Sequence, residues 1–157
     1  RYRMTVEVMT PQGLRSGSSV IEVDLSETGD SSWTPPEARG VSAKVHGQAV
    51  AVELPHGKIL FALLQTPNDV DGAKWFAHNA IRTPPFTGEY SGIRRTQYMK
   101  EHELSGSLPR DNLPFLVTFD NLNDPTTLKL VDPDDLTGAF GQGVSLKRIT
   151  MQMTELR

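Results

Sequence analysis

The sequence predicts a mainly β, β-rich α+β domain, built as an antiparallel sandwich or a curved sheet with a helix-containing insertion. Three observations support this fold class. Stretches in which apolar and polar side chains alternate with period 2 begin and end the chain. Short apolar segments separated by Gly- and Pro-containing turns fill much of the remainder. Residues 65–112 lack this pattern and contain helical spacing instead.

The composition is that of a soluble globular domain. The chain has 157 residues, of which 37% are hydrophobic and 22% charged, and a domain of this length buries about 70% of the surface that its extended chain exposes. We therefore expect a single domain over residues 1–157. Its strands are predicted within 2–64 and 113–156, and the insertion at 65–112.

Composition also excludes several classes of function. The net charge of −3 argues against a nucleic-acid-binding protein and against a polybasic membrane-surface module, because both normally carry a basic surplus. The absence of Cys excludes thiolate catalysis, disulfides and cysteine-based zinc sites. No apolar run approaches the ~20 residues of a membrane span.

The start of the sequence indicates that a segment is missing. Residue 1 is Arg rather than Met, and a strand pattern begins at once at Tyr2. We interpret the missing segment as a tag, a signal peptide or a membrane anchor, with a signal peptide or anchor favoured. The expected location is therefore periplasmic or membrane-anchored, with attachment only through that segment.

The first two strands form a predicted hairpin. Residues 2–8 alternate cleanly, and residues 14–25 alternate again after a turn at Thr10–Gly13. The small residues Ser16–Ser19 within the second strand are typical of close packing against another layer.

A loop is predicted over Ser26–Gly40, which is rich in Ser, Gly, Pro and acidic residues. Its one large aromatic residue is Trp33. The favoured interpretation is that Trp33 folds back over the edge of the core, and the alternative is that it is exposed and docks a partner.

A meander of three short strands follows, at residues 41–45, 49–54 and 59–64. Tight hairpins are expected at the two connections, His46–Gln48 and Pro55–Lys58, because both are short and contain Gly. The third strand is apolar throughout, so we expect a central strand that is covered on both faces.

The insertion opens with a predicted helix over Asp69–Ile81, whose apolar residues recur at helical spacing. Asn68–Asp71 supply a cap residue and acids at its start, and Thr83–Pro85 end it. Residues 86–110 show no clean period. Within them, Ser91–Glu103 is either a second helix or an irregular loop.

Two strands and a helical turn lead to the end of the chain. The strands are predicted at 115–119 and 126–131. Asp132 is the predicted cap of a helical turn that Gly141 closes.

The final strand is predicted over residues 144–156. Its apolar residues change parity at Lys147–Arg148, which predicts a β-bulge or bend there. The preceding Gly141–Gly143 leaves a helix and enters a strand, the reverse of a phosphate-binding glycine motif, so we interpret it as a helix end and a turn.

No motif for catalysis or metal binding is present. No nucleophile elbow occurs, and the acidic clusters lack the spacing of a calcium loop. None of the histidines has metal-ligand spacing; they are His46, His56, His78 and His102. We therefore assign no catalytic residue, metal ligand or cofactor.

The insertion is rich in the residue types that dominate protein interfaces. It holds five of the eleven aromatic residues, together with several arginines, and insertions on a regular scaffold commonly carry function. The alternative is that these aromatics only cap an open face of the sheet. The candidate interface residues are Trp75, Tyr90, Arg94, Arg95 and Tyr98.

Segments at the two ends of the chain carry a resemblance. They are Tyr2–Val8, Thr10–Gly13, Ser16–Val23, Asn123–Thr127, Asp132–Leu136 and Gly143–Thr150. Together they resemble a family of small bacterial proteins that has no known activity. The resemblance implies no catalytic residues, and it implies an apolar segment before the first strand.

Three hypotheses about function follow. The favoured one is a non-enzymatic interaction or accessory module that binds a protein partner. The alternative is a small hydrolase or small-ligand-binding protein with a site between the insertion and the sheet, which a deep pocket with His78 or His102 beside a carboxylate would favour. The third is a subunit that is stable only in an assembly, which predicts a large exposed apolar patch and self-association.

Overall fold

The computed structural model, which describes residues 1–28, 40–67, 72–84 and 91–154, contains nine strands in two antiparallel sheets within these ranges. The prediction of a mainly β sandwich is confirmed. The strands are β1 Tyr2–Thr10, β2 Gly13–Thr28, β3 Gly40–His46, β4 Val50–Glu53, β5 Ile59–Ala62, β6 Ser105–Ser107, β7 Leu116–Phe119, β8 Leu128–Val131 and β9 Ser145–Met153. The helical elements are α1 Phe76–Ala80, α2 Ser91–Glu101 and a single turn, α3 Thr137–Phe140.

The first sheet has five strands in the order β3-β2-β1-β9-β6. The predicted β1–β2 hairpin is confirmed, with Tyr2 opposite Ile21 and Thr10 opposite Gly13. The positive φ of Gly13, 112°, suits the turn. Every second residue of β1, from Tyr2 to Val8, is buried, as the alternation predicts.

The strand β9 pairs with the other side of β1 and contains the predicted bulge. Glu7 lies opposite Arg148 and Val8 opposite Leu146, so Lys147 is an extra residue on β9. The apolar residues before and after the bulge can therefore both point into the core. An ion pair between Glu7 and Arg148 links the two strands beside it.

The second sheet has four strands in the order β4-β5-β7-β8. The strand β5 is central, as predicted, but the expected coverage of both faces is incomplete. Leu60 and Ala62 are buried, whereas Ile59 and Phe61 are only half-buried. The second pair points away from the first sheet, and apolar composition alone does not report that difference.

The connection between β3 and β4 crosses from the first sheet to the second, so the predicted tight hairpin at His46–Gln48 is wrong. Gly47 passes directly over β2, where a Cβ would lie 3.1 Å from the Ile21 side chain. The Ser19 hydroxyl donates a hydrogen bond to the carbonyl oxygen of Gln48 at 3.0 Å. The glycine thus suits a close crossing rather than a turn.

The two sheets approach each other closely where β4 crosses β2. A Cβ on Gly17 would lie 2.0 Å from the carbonyl oxygen of Ala51, a distance that no side chain tolerates. The expected close packing at Ser16–Ser19 is therefore confirmed at Gly17.

A 3-10 turn at Gly72–Trp75, followed by α1, replaces the longer helix predicted over Asp69–Ile81. The amide of Ala73 donates a hydrogen bond to the carbonyl oxygen of Leu64 at 3.0 Å, which ties the turn to the end of β5. This tertiary contact sets the backbone path at a point where periodicity alone favours a longer helix. The predicted cap at Asn68–Asp71 lies outside the described residues.

The rest of the insertion contains a helix and an unpredicted strand. The helical alternative for the region after residue 90 is correct, since α2 has 11 residues. The strand β6 pairs with β9, although its sequence, Ser-Gly-Ser, has no apolar alternation. Its glycine allows β6 to lie directly against α1, because a Cβ on Gly106 would lie 2.1 Å from the carbonyl oxygen of Ala80.

The helical turn near the C terminus begins later than predicted. The Asp132 carboxylate accepts a hydrogen bond from the amide of Asp134 at 2.9 Å and closes a turn before the helix. It is Asp135 that accepts from a helical amide, that of Gly138, at 3.2 Å. Gly141 ends α3 with a φ of 102°, as predicted.

Candidate interaction surface and cleft

The outer side of the second sheet carries a row of apolar side chains. Directly opposite residues of antiparallel strands share a face, and Val117 lies opposite both Phe61 and Leu130. On the next rung of the same face, Phe119 lies opposite Leu128. We call this set the outer apolar face: Ile59, Phe61, Val117, Phe119, Leu128 and Leu130.

Exposure of this face is greatest at the edge strand β8, whereas Val117 on β7 is buried. Phe61 and Phe119 pack edge to face, with ring centroids 5.7 Å apart, and are half-buried. Leu128 is 45% exposed and Leu130 is 68% exposed. Leu122, which follows β7, is 51% exposed. Three exposed leucines therefore lie on one hairpin, next to two half-buried aromatic rings.

The strand β8 is an edge of its sheet and has free backbone groups. The amide of Asp120 donates to the carbonyl oxygen of Thr127 at 3.4 Å, and such bonds recur at every second residue of an antiparallel pair. The amide and carbonyl of Leu130 therefore point away from β7, as does the carbonyl of Leu128. The amide of Leu128 is bonded to the carbonyl oxygen of Pro125.

An ion pair flanks β8 on the opposite face of the strand. The Lys129 ammonium lies 2.7 Å from the Asp120 carboxylate, and both side chains are mostly exposed. An exposed pair of this kind stabilises the fold by less than about 1 kcal/mol. A lysine on an edge strand does, however, limit non-specific pairing with other edges.

The turn that joins β7 to β8 is held by side-chain hydrogen bonds. The Asp124 carboxylate accepts from the amide of Thr126 at 3.0 Å and from its hydroxyl at 2.6 Å. These hydrogen bonds lower the pKa of Asp124. The Thr127 hydroxyl lies 3.0 Å from both the amide and the carbonyl oxygen of Asn121. The exposed leucines are thus carried by a well-bonded hairpin.

A cleft of about 760 Å³ opens where β7 begins and β8 ends. Its volume is in the range of small-molecule sites, and it lies between the insertion and the second sheet, where the alternative hypothesis places a site. Carboxylates of Asp111 and Asp132 line it, and none of its described lining residues is a histidine. The other lining residues include Thr66, Pro67, Asn79, Leu113, Pro114, Phe115, Leu130 and Pro133.

Arg110, at the rim of the cleft, is engaged in structural contacts. It donates hydrogen bonds to the carbonyl oxygens of Leu146 at 3.1 Å and Pro133 at 3.3 Å. Its guanidinium also lies 3.7 Å from the Asp134 carboxylate. These contacts fix the turn after β8 against the start of β9.

The structure gives Arg95, one of the five candidate interface residues, an internal role. It donates hydrogen bonds to the carbonyl oxygen of Ile81 at 2.6 Å and to the hydroxyl of Thr83 at 3.0 Å. It therefore fastens α2 to the chain that follows α1. Sequence gave no signal for this role, because both acceptors are remote and one is a backbone carbonyl.

The other four candidates are placed separately. Arg94 is exposed on α2, and the ring of Tyr98 stacks on His102 with centroids 4.1 Å apart. Only the backbone of Trp75 is described, within the 3-10 turn, and Tyr90 lies outside the described residues. An interface built from these residues stays a prediction.

Sequence reasoning missed the outer apolar face. The alternation of Leu128 and Leu130 was visible, but it does not say whether that side of the strand is covered. One signal was available in the sequence. The strands β5 and β7 carry apolar residues on both faces, whereas a sheet that is covered on one side needs them on one face only.

Within the described residues, no group of three or more His, Asp or Glu is placed to hold a metal ion. None of the helices described there is long and apolar enough to cross a membrane. Comparisons with protein-family models, with curated proteins and with solved structures gave no match.

Proposed function

We propose that this protein is a non-enzymatic interaction module that binds a protein partner through the outer apolar face. The main support is the pair of exposed leucines on one face of β8, Leu128 and Leu130, with a third exposed leucine, Leu122, in the loop of the same hairpin. Single exposed leucines are common on soluble proteins and need no explanation. A contiguous exposed group beside aromatic rings is instead typical of an interaction site.

The composition of the surface around this face also fits an interface. Aromatic side chains, here Phe61 and Phe119, belong to this face, and aromatic residues are enriched in the apolar centres of interfaces. Because the hairpin is rigidly bonded, a partner would meet a preformed surface and little ordering entropy would oppose binding.

The test is affinity capture from an extract of the cells that naturally make the protein. The wild type is compared with Leu128→Lys and with Leu14→Lys. Leu14 is a matched control, because it is 47% exposed against 45% for Leu128 and lies on the first hairpin instead. We expect one protein to be recovered by the wild type and by Leu14→Lys but not by Leu128→Lys. Equal recovery by all three would overturn the assignment.

A second candidate, binding of a small molecule, is supported by the cleft at the end of β8. Its volume of about 760 Å³ and its mixed apolar and carboxylate lining suit a small ligand. Thermal-shift screening against a metabolite library tests it, with Asp132→Asn as the site variant. A ligand that stabilises the wild type and Leu128→Lys, but not Asp132→Asn, would favour this function over protein binding.

A further inference from the structure

We infer that β8 takes up an extended peptide segment of the partner as an added antiparallel strand, with basic residues at the N-terminal end of that segment lying against Asp132 and Asp134. This inference rests on the proposed function and specifies the chemistry of the partner. It follows from the backbone at the open edge, from the continuity of the outer apolar face and from the charges beyond β8.

The backbone supplies the docking groups. The amide and carbonyl of Leu130 and the carbonyl of Leu128 point away from β7. An extended chain that pairs with a sheet edge satisfies such groups through main-chain hydrogen bonds. All strand pairs of the second sheet are antiparallel, so an added antiparallel strand continues its pattern. Because β8 has four residues, the bound segment is short.

The side chains specify apolar residues in the segment. Alternate residues of an added strand project beside Leu128 and Leu130 and so extend the outer apolar face. Burial of Leu130, which is 68% exposed in the free protein, would strengthen binding about fivefold or more. β-Branched residues suit these positions because they favour the extended conformation.

The charges specify the orientation. Just beyond β8 lie four carboxylates, those of Asp132, Asp134, Asp135 and, across the cleft, Asp111. Among the described residues that line this cleft the only cation is Arg110, which already lies 3.7 Å from Asp134. The N-terminal end of an antiparallel strand arrives at the C-terminal end of β8, so basic residues are favoured there.

A second copy of this chain is a poorer occupant than a basic segment. Antiparallel pairing of two β8 strands would bring Asp132 of one copy toward the residues that precede Leu128 in the other. Asp120 and Asp124 lie there, and the nearby cation, Lys129, is already paired with Asp120 at 2.7 Å. Like charges across such a contact oppose association.

The experiment uses three fluorescent synthetic peptides of equal length and measures binding by anisotropy. The first has two lysines followed by alternating valine and threonine, the second has the reverse order, and the third has glutamates in place of the lysines. We expect the first to bind most tightly, with the second about threefold weaker or more, and the third weaker still. Equal binding of the first and third, or no measurable binding of the first, overturns the inference.

Three variants distinguish the contribution of backbone hydrogen bonds to peptide binding from the contribution of charge. Leu130→Pro removes the free amide at the edge without removing a donor to β7, and proline is tolerated at such positions; it should abolish binding of the first peptide. Leu130→Ala keeps the amide and loses only the apolar contact, so it should weaken binding about fivefold without abolishing it. Replacing Asp132 and Asp134 together by Asn should weaken binding about three- to tenfold, because two exposed charge pairs are lost.

If Leu130→Pro fails to fold, amide hydrogen exchange measured on the wild type tests strand addition instead. Bound peptide should slow exchange at Leu130, and unchanged exchange there at saturation overturns the inference. A partner that is captured by folded Leu130→Pro but lost by Leu128→Lys would refute strand addition while leaving the proposed function intact. Sedimentation as a dimer that Leu130→Pro abolishes would identify a second copy as the occupant and refute the inference.

Discussion

The phenolic hydroxyl of Tyr2 donates a hydrogen bond to the carbonyl oxygen of Ala73 at 2.6 Å, and so joins the first strand to the insertion. Tyr2 is 2% exposed. Burial raises the pKa of its phenol well above the ordinary value, because the phenolate would lose its hydration. The folded protein therefore holds Tyr2 in its neutral form.

This contact predicts a loss of stability at high pH. Below the unfolded-state pKa of about 10 the phenol is neutral in both states, and its contribution is fully present. Above that value only the unfolded chain releases the proton, so the free energy of unfolding falls by about 1.4 kcal/mol per pH unit. At about pH 8 the wild type should exceed Tyr2→Phe by about 1 kcal/mol in urea denaturation.

The difference between the two proteins should then shrink, and it should reverse by about pH 11. The Tyr2→Phe variant serves as the reference because every other titrating group is common to both. A difference that stays constant over this range would show that Tyr2 ionises as readily in the folded state as in the unfolded one.

The crossing of β4 over β2 predicts sensitivity to a single methyl group. Gly17→Ala should destabilise the protein by about 1–3 kcal/mol, because the Cβ would have to displace the carbonyl of Ala51. Gly138→Ala is the control, since its Cβ would meet only the end of the Asp135 side chain, at 3.3 Å. The free energy of unfolding of the control should change by less than about 0.5 kcal/mol; similar losses in both variants would contradict the proposed packing.

The hydrogen bonds of Arg95 predict that it stabilises the position of α2. Arg95→Lys should lower the free energy of unfolding by about 1–2 kcal/mol, because a lysine cannot reproduce the fork that reaches both acceptors. Amide hydrogen exchange in α2 should become faster. Lys100→Arg, at an exposed position of the same helix, should change neither quantity appreciably, and an equal effect of the two substitutions would count against a specific role for Arg95.

The insertion surface can be tested with the same capture experiment as the outer apolar face. We expect Arg94→Ala combined with Tyr98→Ala to recover the partner as well as the wild type does, because both residues lie on α2 rather than on the second sheet. Tyr98 contributes its stacking on His102 to the helix, so helix content is checked by circular dichroism. If the Arg94→Ala, Tyr98→Ala variant loses the partner while Leu128→Lys still recovers it, the interface lies on the insertion instead.

Local features of this fold were predictable where the sequence encodes them directly. Alternation in β1 and the parity change at Lys147 report which side of a strand each residue occupies, so the hairpin and the bulge were both predicted. Pairing partners are not encoded in this way. Gly47 looks the same in a hairpin turn and in a crossing between sheets, and the Ser-Gly-Ser of β6 pairs with β9 without any apolar pattern.

For the candidate site too, the sequence predicted residue types but not the contacts or the exposure of those residues. Residue types pointed to aromatic and arginine side chains in the insertion, but they could not reveal that Arg95 is bonded to Ile81 and Thr83. Nor could they reveal that Leu128 and Leu130, on the outer side of β8, are exposed. Exposure of an apolar residue depends on the element packed above it, which is a property of the whole fold.

The strand β2 changes partner part-way along its length, pairing with β1 as far as Ile21 and with β3 from Glu22 onward. Val23 and Val45 still pack against the core. Beyond them, the described residues form an arm of only two strands, and such an arm is marginally stable by itself. Its amides should therefore exchange through a local opening that leaves the sandwich intact. One continuous strand would then show two exchange regimes, with the boundary near Val23.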